Sequence, residues 1–251
     1  MIETGYLQVA MAVVLAAIAF ILTRMNSIPV EKEIAFGTVR AFIQLIAVGY
    51  ILEFIFASDS IWLIVLSVMI MMLVAAYTAG KRAEHYKNGF MISFISLSVG
   101  SLVTLGIMLI LRIITPEARY IIPLSGMIIS NSMNAVSIAF NRLGSDLKSN
   151  RLMVETSLAL GKNWRVASKP LYQNAVKASM ISILNFLKTV GIVALPGAMT
   201  GMILAGTSPL KAVLIQLIVG YMLLSSVTIS AIISAELSVR KFFNSSDQYL
   251  G

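Results

Sequence analysis

The sequence contains no cysteine. It therefore has no disulfide framework, no thiolate metal site and no cysteine nucleophile. Histidine occurs once, as His85 in the charged run Lys81-Arg82-Ala83-Glu84-His85-Tyr86-Lys87. A histidine metal cage or a Ser-His-Asp relay cannot be assembled from this chain alone. Charge is scarce: 12% of the 251 residues are charged, against about 25% in a soluble domain. No G-x-x-x-x-G-K-[ST] run is present, so the chain holds no ATP by a Walker loop. Glu53 is the one acid inside an apolar run, near its outer end, whereas proton-coupled carriers rely on intramembrane carboxylates or histidines. Basic residues interleaved with aromatics on a soluble face are also missing, so no nucleic-acid partner is expected.

What is abundant is hydrocarbon. Hydrophobic residues make up 58% of the chain and the mean hydropathy is +0.90. That is more apolar surface than a water-soluble core can hide. The composition predicts an all-α integral membrane protein, one transmembrane domain over residues 1–251. Seven runs approach the roughly 20 residues needed to span a bilayer: 6–23, 35–56, 61–79, 90–111, 121–140, 178–205 and 212–235. They are continuous rather than alternating, which excludes a strand barrel. Residues 1–5 carry no basic n-region, so the first run is expected to be a retained helix rather than a cleaved signal.

The net charge is +8, and its placement gives an orientation. With the N-terminus outside and the C-terminus cytoplasmic, fifteen of the nineteen basic residues fall on the cytoplasmic side. Only Arg112, Arg119 and Lys211 lie opposite, with Lys188 inside a span. This is the positive-inside bias of a multi-pass inner-membrane protein.

The segment 141–177 is long and polar and is expected to be a cytoplasmic loop. Ser149 and Asn150 read as N-caps. Leu152, Thr156, Ala159 and Leu160 fall on one helical face. Gly161 ends that helix, and a short second one, 164–168, runs to Pro170. The result is a helix–Gly–helix elbow, either a solvated connector or a docking surface for a cytosolic partner.

Three polar stripes cross the apolar runs. Ser130, Asn134, Ser137 and Asn141 share one face of the fifth span, flanked by Met127 and Asn131. Ser182, Asn185, Lys188 and Thr189 cluster on the sixth, Arg40 and Gln44 on the second, and Gln216 stands more alone in the seventh. Such groups either glue helices together or line a polar pathway. The stripes of the fifth and sixth spans are expected to face each other. Lys188 is then either a structural cation or a ligand for an anionic cargo. It could also mimic a Schiff-base lysine, although no acid lies at its depth to serve as counter-ion. Leu195-Pro196-Gly197 breaks the sixth span, and Gly197 with Gly201 forms a small-xxx-small pair suited to close helix contact. Methionine is frequent at 15 residues, including Met133, Met199 and Met202; thioethers either fill apolar gaps or bind soft metals. Together these features describe a transport pathway without its own engine: an ATPase-driven permease, or a stand-alone channel or carrier.

The run from Lys188 to Pro209, containing Leu195-Pro196-Gly197-Ala198-Met199-Thr200-Gly201, resembles the signature of the FetB-type (YbbM) ABC transporter permeases of bacteria, to which plant aluminium-tolerance membrane proteins are similar. Ile121 to Met127, followed by Asn131-Ser132-Met133-Asn134, resembles that family's second signature. Glu155-Thr156-Ser157-Leu158-Ala159-Leu160-Gly161 resembles the E-A-A-x-x-x-G elbow that couples permeases to ATPases, with Thr156 and Ser157 in place of the two alanines. The resemblance implies a homodimer of permeases served by a separate cytosolic FetA-type ATPase, which would carry the ATP and Mg, while this chain holds no cofactor. It implies iron export in bacteria; the plant relatives are associated with another cargo. It places ATPase coupling at Glu155, Gly161, Lys162, Arg165 and Lys169. The pathway would run along Arg40, Gln44, Met127, Asn131, Met133, Asn134, Asn185, Lys188, Pro196, Gly197, Met199, Thr200, Gly201 and Gln216.

Overall fold

The structure is a computed structural model of the chain, and it describes residues 6–58, 60–83, 88–244 and 246–250. His85 and the first five residues lie outside the described residues. Among the described residues there are nine helices and no strand. The chain divides into two compact units, Met1–Ser60 and Ile61–Gly251.

The first unit holds α1 (Tyr6–Met25) and α2 (Glu31–Ser58), packed on each other. Its described side chains are mostly exposed although apolar, including Leu15, Phe36 and Leu45. Water does not tolerate such a surface over two whole helices, whereas lipid does.

The second unit holds α3 (Ile61–Gly80), α4 (Gly89–Ile110), α5 (Ala118–Ser149), α6 (Arg151–Ala159), α7 (Trp164–Thr189), α8 (Gly197–Leu204) and α9 (Pro209–Arg240). α5 is central and packs against α3, α4, α7 and α9. Its buried residues Ile122, Ser125, Ile129, Ser132, Val136, Ala139 and Leu143 recur every three or four positions, the period of one helix face. Three apolar clusters build the core. One joins Met72, Ala76 and Ala79 to Ile92, Leu97, Val136 and Phe140. A second joins Met108 and Ile128 to Ile183, Met222 and Val227. A third joins Leu143 and Leu147 to Val154, Leu171, Phe242 and Phe243.

α4 and α9 meet through small polar residues. Ser93, Ser96, Ser101 and Thr104 on α4 and Ser226, Ser230, Ser234 and Ser238 on α9 are all buried. Most of these hydroxyls bond back to a carbonyl of their own helix, as Ser96 Oγ does to Ile92 O at 2.7 Å. Small residues let helix backbones approach closely in a bilayer, where no hydrophobic force pulls helices together.

Five helices are long and apolar enough to cross a membrane: α2, α3, α4, α5 and α9. The apolar part of α1, Met11–Met25, is shorter. The expected sixth span is not one helix. α7 begins at Trp164, passes through Pro170 and ends at Thr189; residues 190–196 are non-helical, and α8 has 8 residues. The segment 141–177 holds the two helices expected on either side of Gly161, but it is helical almost throughout, because α5 runs on to Ser149 and the helix begun at Trp164 does not stop at 168. α5 continues through Asn141 to Ser149, because the apolar positions Leu143 and Leu147 extend its buried face beyond the hydrophobic run.

Candidate functional site

The break after α7 is made by glycine before proline is reached. Gly191 has φ +83°, in the left-handed region that favours glycine. Thr189 O then accepts from the amides of Ile192 and Val193 at 3.1 and 2.9 Å. Gly191 N donates to Ala194 O at 3.0 Å, closing the turn. The sequence predicts that Pro196 breaks the sixth span from within, but it does not sit inside a helix. It is the N-cap of α8, and Thr200 N donates to its carbonyl at 3.0 Å. Gly197 and Gly201 are exposed, with open space where a methyl would sit, so within the described structure they support no close helix contact.

Beside this break lies a cavity of about 90 Å³, lined by Phe186, Val190, Gly191, Met199, Gln216 and Tyr221 among others. Its walls are apolar apart from Gln216. That side chain is only 6% exposed, and its Oε1 has no hydrogen-bond partner. A buried acceptor without a donor costs about 1–3 kcal/mol; the Gln216 side chain borders the cavity, but its oxygen is shut off from the void. Sequence reading found Gln216 the most isolated polar residue of the spans; in the structure it is the most deeply placed of the candidates. Met199 is buried beside it, whereas Thr200 is exposed.

The polar stripes are arranged differently from expectation. Asn134 and Asn141 on α5 and Ser182, Asn185 and Lys188 on α7 are exposed. The two stripes do not close on each other. The faces that pack together carry Ile128 and Ala135 on α5 and Ile183 on α7. Several stripe members are satisfied within their own helix. Asn131 Nδ2 donates to Met127 O at 2.8 Å, Ser137 Oγ to Met133 O at 2.8 Å, and Thr189 Oγ1 to Asn185 O at 2.9 Å. Met127 and Met133 are half-buried and pack on the core clusters as apolar filler. Lys188 sits in the last turn of α7, where a cation complements the negative end of the helix dipole. It does not line the cavity. In the first unit, Arg40 and Gln44 are exposed on α2. Among the described residues no group of three or more His, Asp or Glu could hold a metal ion.

A second site lies at the turn between α6 and α7. Gly161 has φ +82°, and Asn163 caps α7, its Oδ1 accepting from Val166 N at 3.0 Å. The face of α6 shared by Leu152, Thr156, Ala159 and Leu160 points away from the core. Val154 is fully buried and Leu158 partly so. Leu152 and Leu160 are 78% and 73% exposed, and Thr156 and Ala159 are also exposed. Of the two expected N-caps, Asn150 holds that position in α6, but its side chain makes no capping bond. Ser149 ends α5, and Asn150 Nδ2 donates back to Asp146 O at 2.8 Å. Two of the coupling residues are already engaged. Glu155 pairs with Arg151 at 2.7 Å, and Arg165 pairs with Glu236 at 3.1 Å, tying the start of α7 to the end of α9. Lys162 and Lys169 remain exposed.

Residues 241–244 and 246–250, following α9, carry no signal in the sequence that singles them out. They fold back beside this turn and bring Phe242, Phe243 and Tyr249 to the cluster that seats Val154. Burial raises the pKa of the Tyr249 hydroxyl; nearby Arg151 lowers it and Glu155 raises it. A polar cleft of about 690 Å³ opens between Glu155, Gly161, Lys162 and Asn163 on one side and Ser246, Asp247, Gln248 and Tyr249 on the other.

A lipid-facing first unit, a helical core with long apolar helices, and a broken helix beside a small apolar cavity define a multi-pass α-helical membrane protein. The chain belongs to UPF0014, described as an uncharacterised protein family, whose model matches residues 6–243. It is 38% identical to the "Probable iron export permease protein FetB" of Escherichia coli (strain K12), over 96% of this chain and 93% of that protein. It is 36% identical to "Protein ALUMINUM SENSITIVE 3" of Arabidopsis thaliana, over 97% of this chain and 89% of that one. The "UPF0014 membrane protein STAR2" of rice is 37% identical, over 97% of this chain and 86% of that protein. No solved structure matches the chain.

Proposed function

We propose that this chain is the membrane permease of a metal exporter, with iron as first cargo, driven by a separate cytosolic ABC ATPase of the FetA type. The observation that carries the reading is the near full-length similarity to a protein named as a probable iron export permease. The geometry supports it at two places. The cavity beside the broken segment is bordered by the Gln216 side chain and the Met199 thioether, at the kind of site where transporters bind their substrate. The α6–Gly161–α7 turn presents exposed Leu152 and Leu160 with Lys162 and Lys169, a surface suited to a cytosolic partner.

On this reading the N-terminus lies outside and the C-terminus in the cytoplasm of the inner membrane. The ATPase supplies the ATP and Mg. Two permeases associate, because Asn134, Asn185 and Lys188 are expensive against lipid and cheap against a polar neighbour. The absence of an acidic or histidine cluster among the described residues favours a weak pathway over a tight metal site. The test is co-purification with an ATPase encoded beside this chain, followed by ATP hydrolysis with and without Fe²⁺. Stable association and iron-stimulated hydrolysis are expected. A chain that purifies alone and moves solute without ATP would overturn the reading in favour of a carrier.

A further inference from the structure

Nothing in α6 alone fixes where it stands. It has 9 residues, too few for a self-supporting helix. It is bounded by Asn150, whose side chain gives it no cap, and by Gly161 in the left-handed region. Its seat is the cluster around Val154, and residues from beyond α9 supply three of the rings in that cluster. Phe243 lies between Trp164 and Tyr249, with ring centroids at 6.0 and 5.6 Å, and Phe242 stacks on Tyr249 at 6.4 Å. Arg151, the first residue of α6, lies over the Tyr249 ring at 5.9 Å.

The segment that carries these rings is itself closed into a hook. Asn244 Oδ1 accepts from the amides of Ser246 and Gln248 at 2.9 and 2.8 Å, and its Nδ2 donates to Gln248 Oε1 at 2.7 Å. Asn244 N donates to Gln248 O at 3.0 Å and Leu250 N to Phe242 O at 2.8 Å. Arg240, at the end of α9, reaches both ends of the arrangement. Its guanidinium lies over Trp164 at 5.2 Å and pairs with Asp247 at 3.4 Å.

We propose that this C-terminal hook, residues 241–244 and 246–250, is the positioning element of α6. It locks α6 to the ends of α7 and α9, so that a push on α6 reaches the membrane helices instead of being absorbed at Asn150 and Gly161. Tyr249 and Asn244 are the positioning residues, Tyr249 through its ring and Asn244 through the hook's internal hydrogen bonds. The proposal rests on the reading of α6 as the ATPase contact, but its first test does not need the ATPase.

That test is amide hydrogen exchange of the full chain in nanodiscs, comparing wild type with Tyr249→Ala, Asn244→Ala and Tyr249→Phe. In both alanine variants, exchange across 151–159 should rise about tenfold or more, while the membrane-deep parts of α5 and α9 keep their protection. Tyr249→Phe should behave as wild type, because the Tyr249 hydroxyl has no hydrogen-bond partner. Asn244→Ala keeps every ring of the cluster and guards against a Tyr249→Ala chain that fails to fold. Unchanged α6 exchange in both alanine variants overturns the proposal. So does an equal rise in every helix, which would mean the hook only adds global stability. The second measurement is ATP hydrolysis with the partner ATPase. The alanine variants should retain the ATPase yet lose most of the iron stimulation. If α6 loosens as expected but the wild-type chain never binds an ATPase, the hook stands and the assignment of α6 as ATPase contact falls.

Discussion

Gly100 on α4 and Ser230 on α9 approach so closely that a methyl group on the glycine would occupy the place of the serine hydroxyl. The same methyl would lie 3.0 Å from the Ser226 carbonyl oxygen. The approach is between a backbone and a side chain at the centre of a seam of small residues, and neither helix can yield without disturbing the serines above and below. Gly100→Val should therefore lower the stability of the detergent-solubilised protein by about 1–3 kcal/mol, the usual cost of overpacking. Thermal unfolding followed by circular dichroism measures it. Ser230→Ala removes a hydroxyl that has no partner and should be tolerated. A melting temperature unchanged by Gly100→Val would mean the helices are not in this register.

The turn at Gly161 depends on its positive φ. A β-branched residue there pays roughly 1–2 kcal/mol of steric strain, which the chain can relieve only by moving α6. Gly161→Val is expected to insert and fold but to hydrolyse ATP without stimulation by iron. Gly161→Asn, which tolerates the left-handed region, should keep much of the coupling. Normal coupling in the valine variant would reject α6 as the contact.

Gln216 separates a pathway from a packing role. Replacing it by leucine removes an acceptor that is already unsatisfied, so stability should hold or rise slightly. Iron export from loaded vesicles should fall, by about tenfold for the loss of one buried polar contact worth about 1.4 kcal/mol. Full transport by Gln216→Leu would take the cavity off the pathway.

The missing cysteines make association easy to test, because any disulfide must come from an introduced residue. Asn134→Cys and Asn185→Cys place single thiols on exposed stripes of α5 and α7. Mild oxidation in membranes should give a cross-linked dimer for at least one of them. Exposed Leu102 on α4, changed to cysteine, serves as a control and should stay monomeric. Only monomer at both stripe positions would argue that the stripes are covered from within one chain.

Much of the helical plan was legible because hydropathy is a direct record of lipid contact. α3 was expected over 61–79 and runs over Ile61–Gly80; α4 was expected over 90–111 and runs over Gly89–Ile110. α5 and α9 were read too short, since a hydropathy run ends where lipid ends, while Leu143, Leu147 and Val239 carry the buried faces further. Which face of α6 is buried could not be read from α6 alone. Leu152 and Leu160 share one face and Val154 and Leu158 another, and the choice falls to a cluster that gathers Leu143, Leu147 and Leu171 with Phe242, Phe243 and Tyr249 from far along the chain. The serine seam was available in principle, since Ser226, Ser230, Ser234 and Ser238 recur every four residues, but the stripes were sought around asparagine, glutamine and basic residues, and 226–238 has none. The break after α7 was attributed to Pro196, although Gly191 turns the chain first.

The continuity of α7 has a mechanical consequence. Its 26 residues form one rod from the Asn163 cap to the turn at Gly191, a length of about 39 Å at 1.5 Å per residue. One end adjoins the α6 turn, and Phe186 and Leu187 near the other line the cavity. A tilt of about 10° around the middle of such a rod carries each tip through about 3 Å in opposite directions. Three ångströms is the width of a water molecule, enough to open or seal a cavity of this size. The helix is thus long enough to act as a lever, with Pro170, which lacks an amide to bond the preceding turn, the place where it can flex.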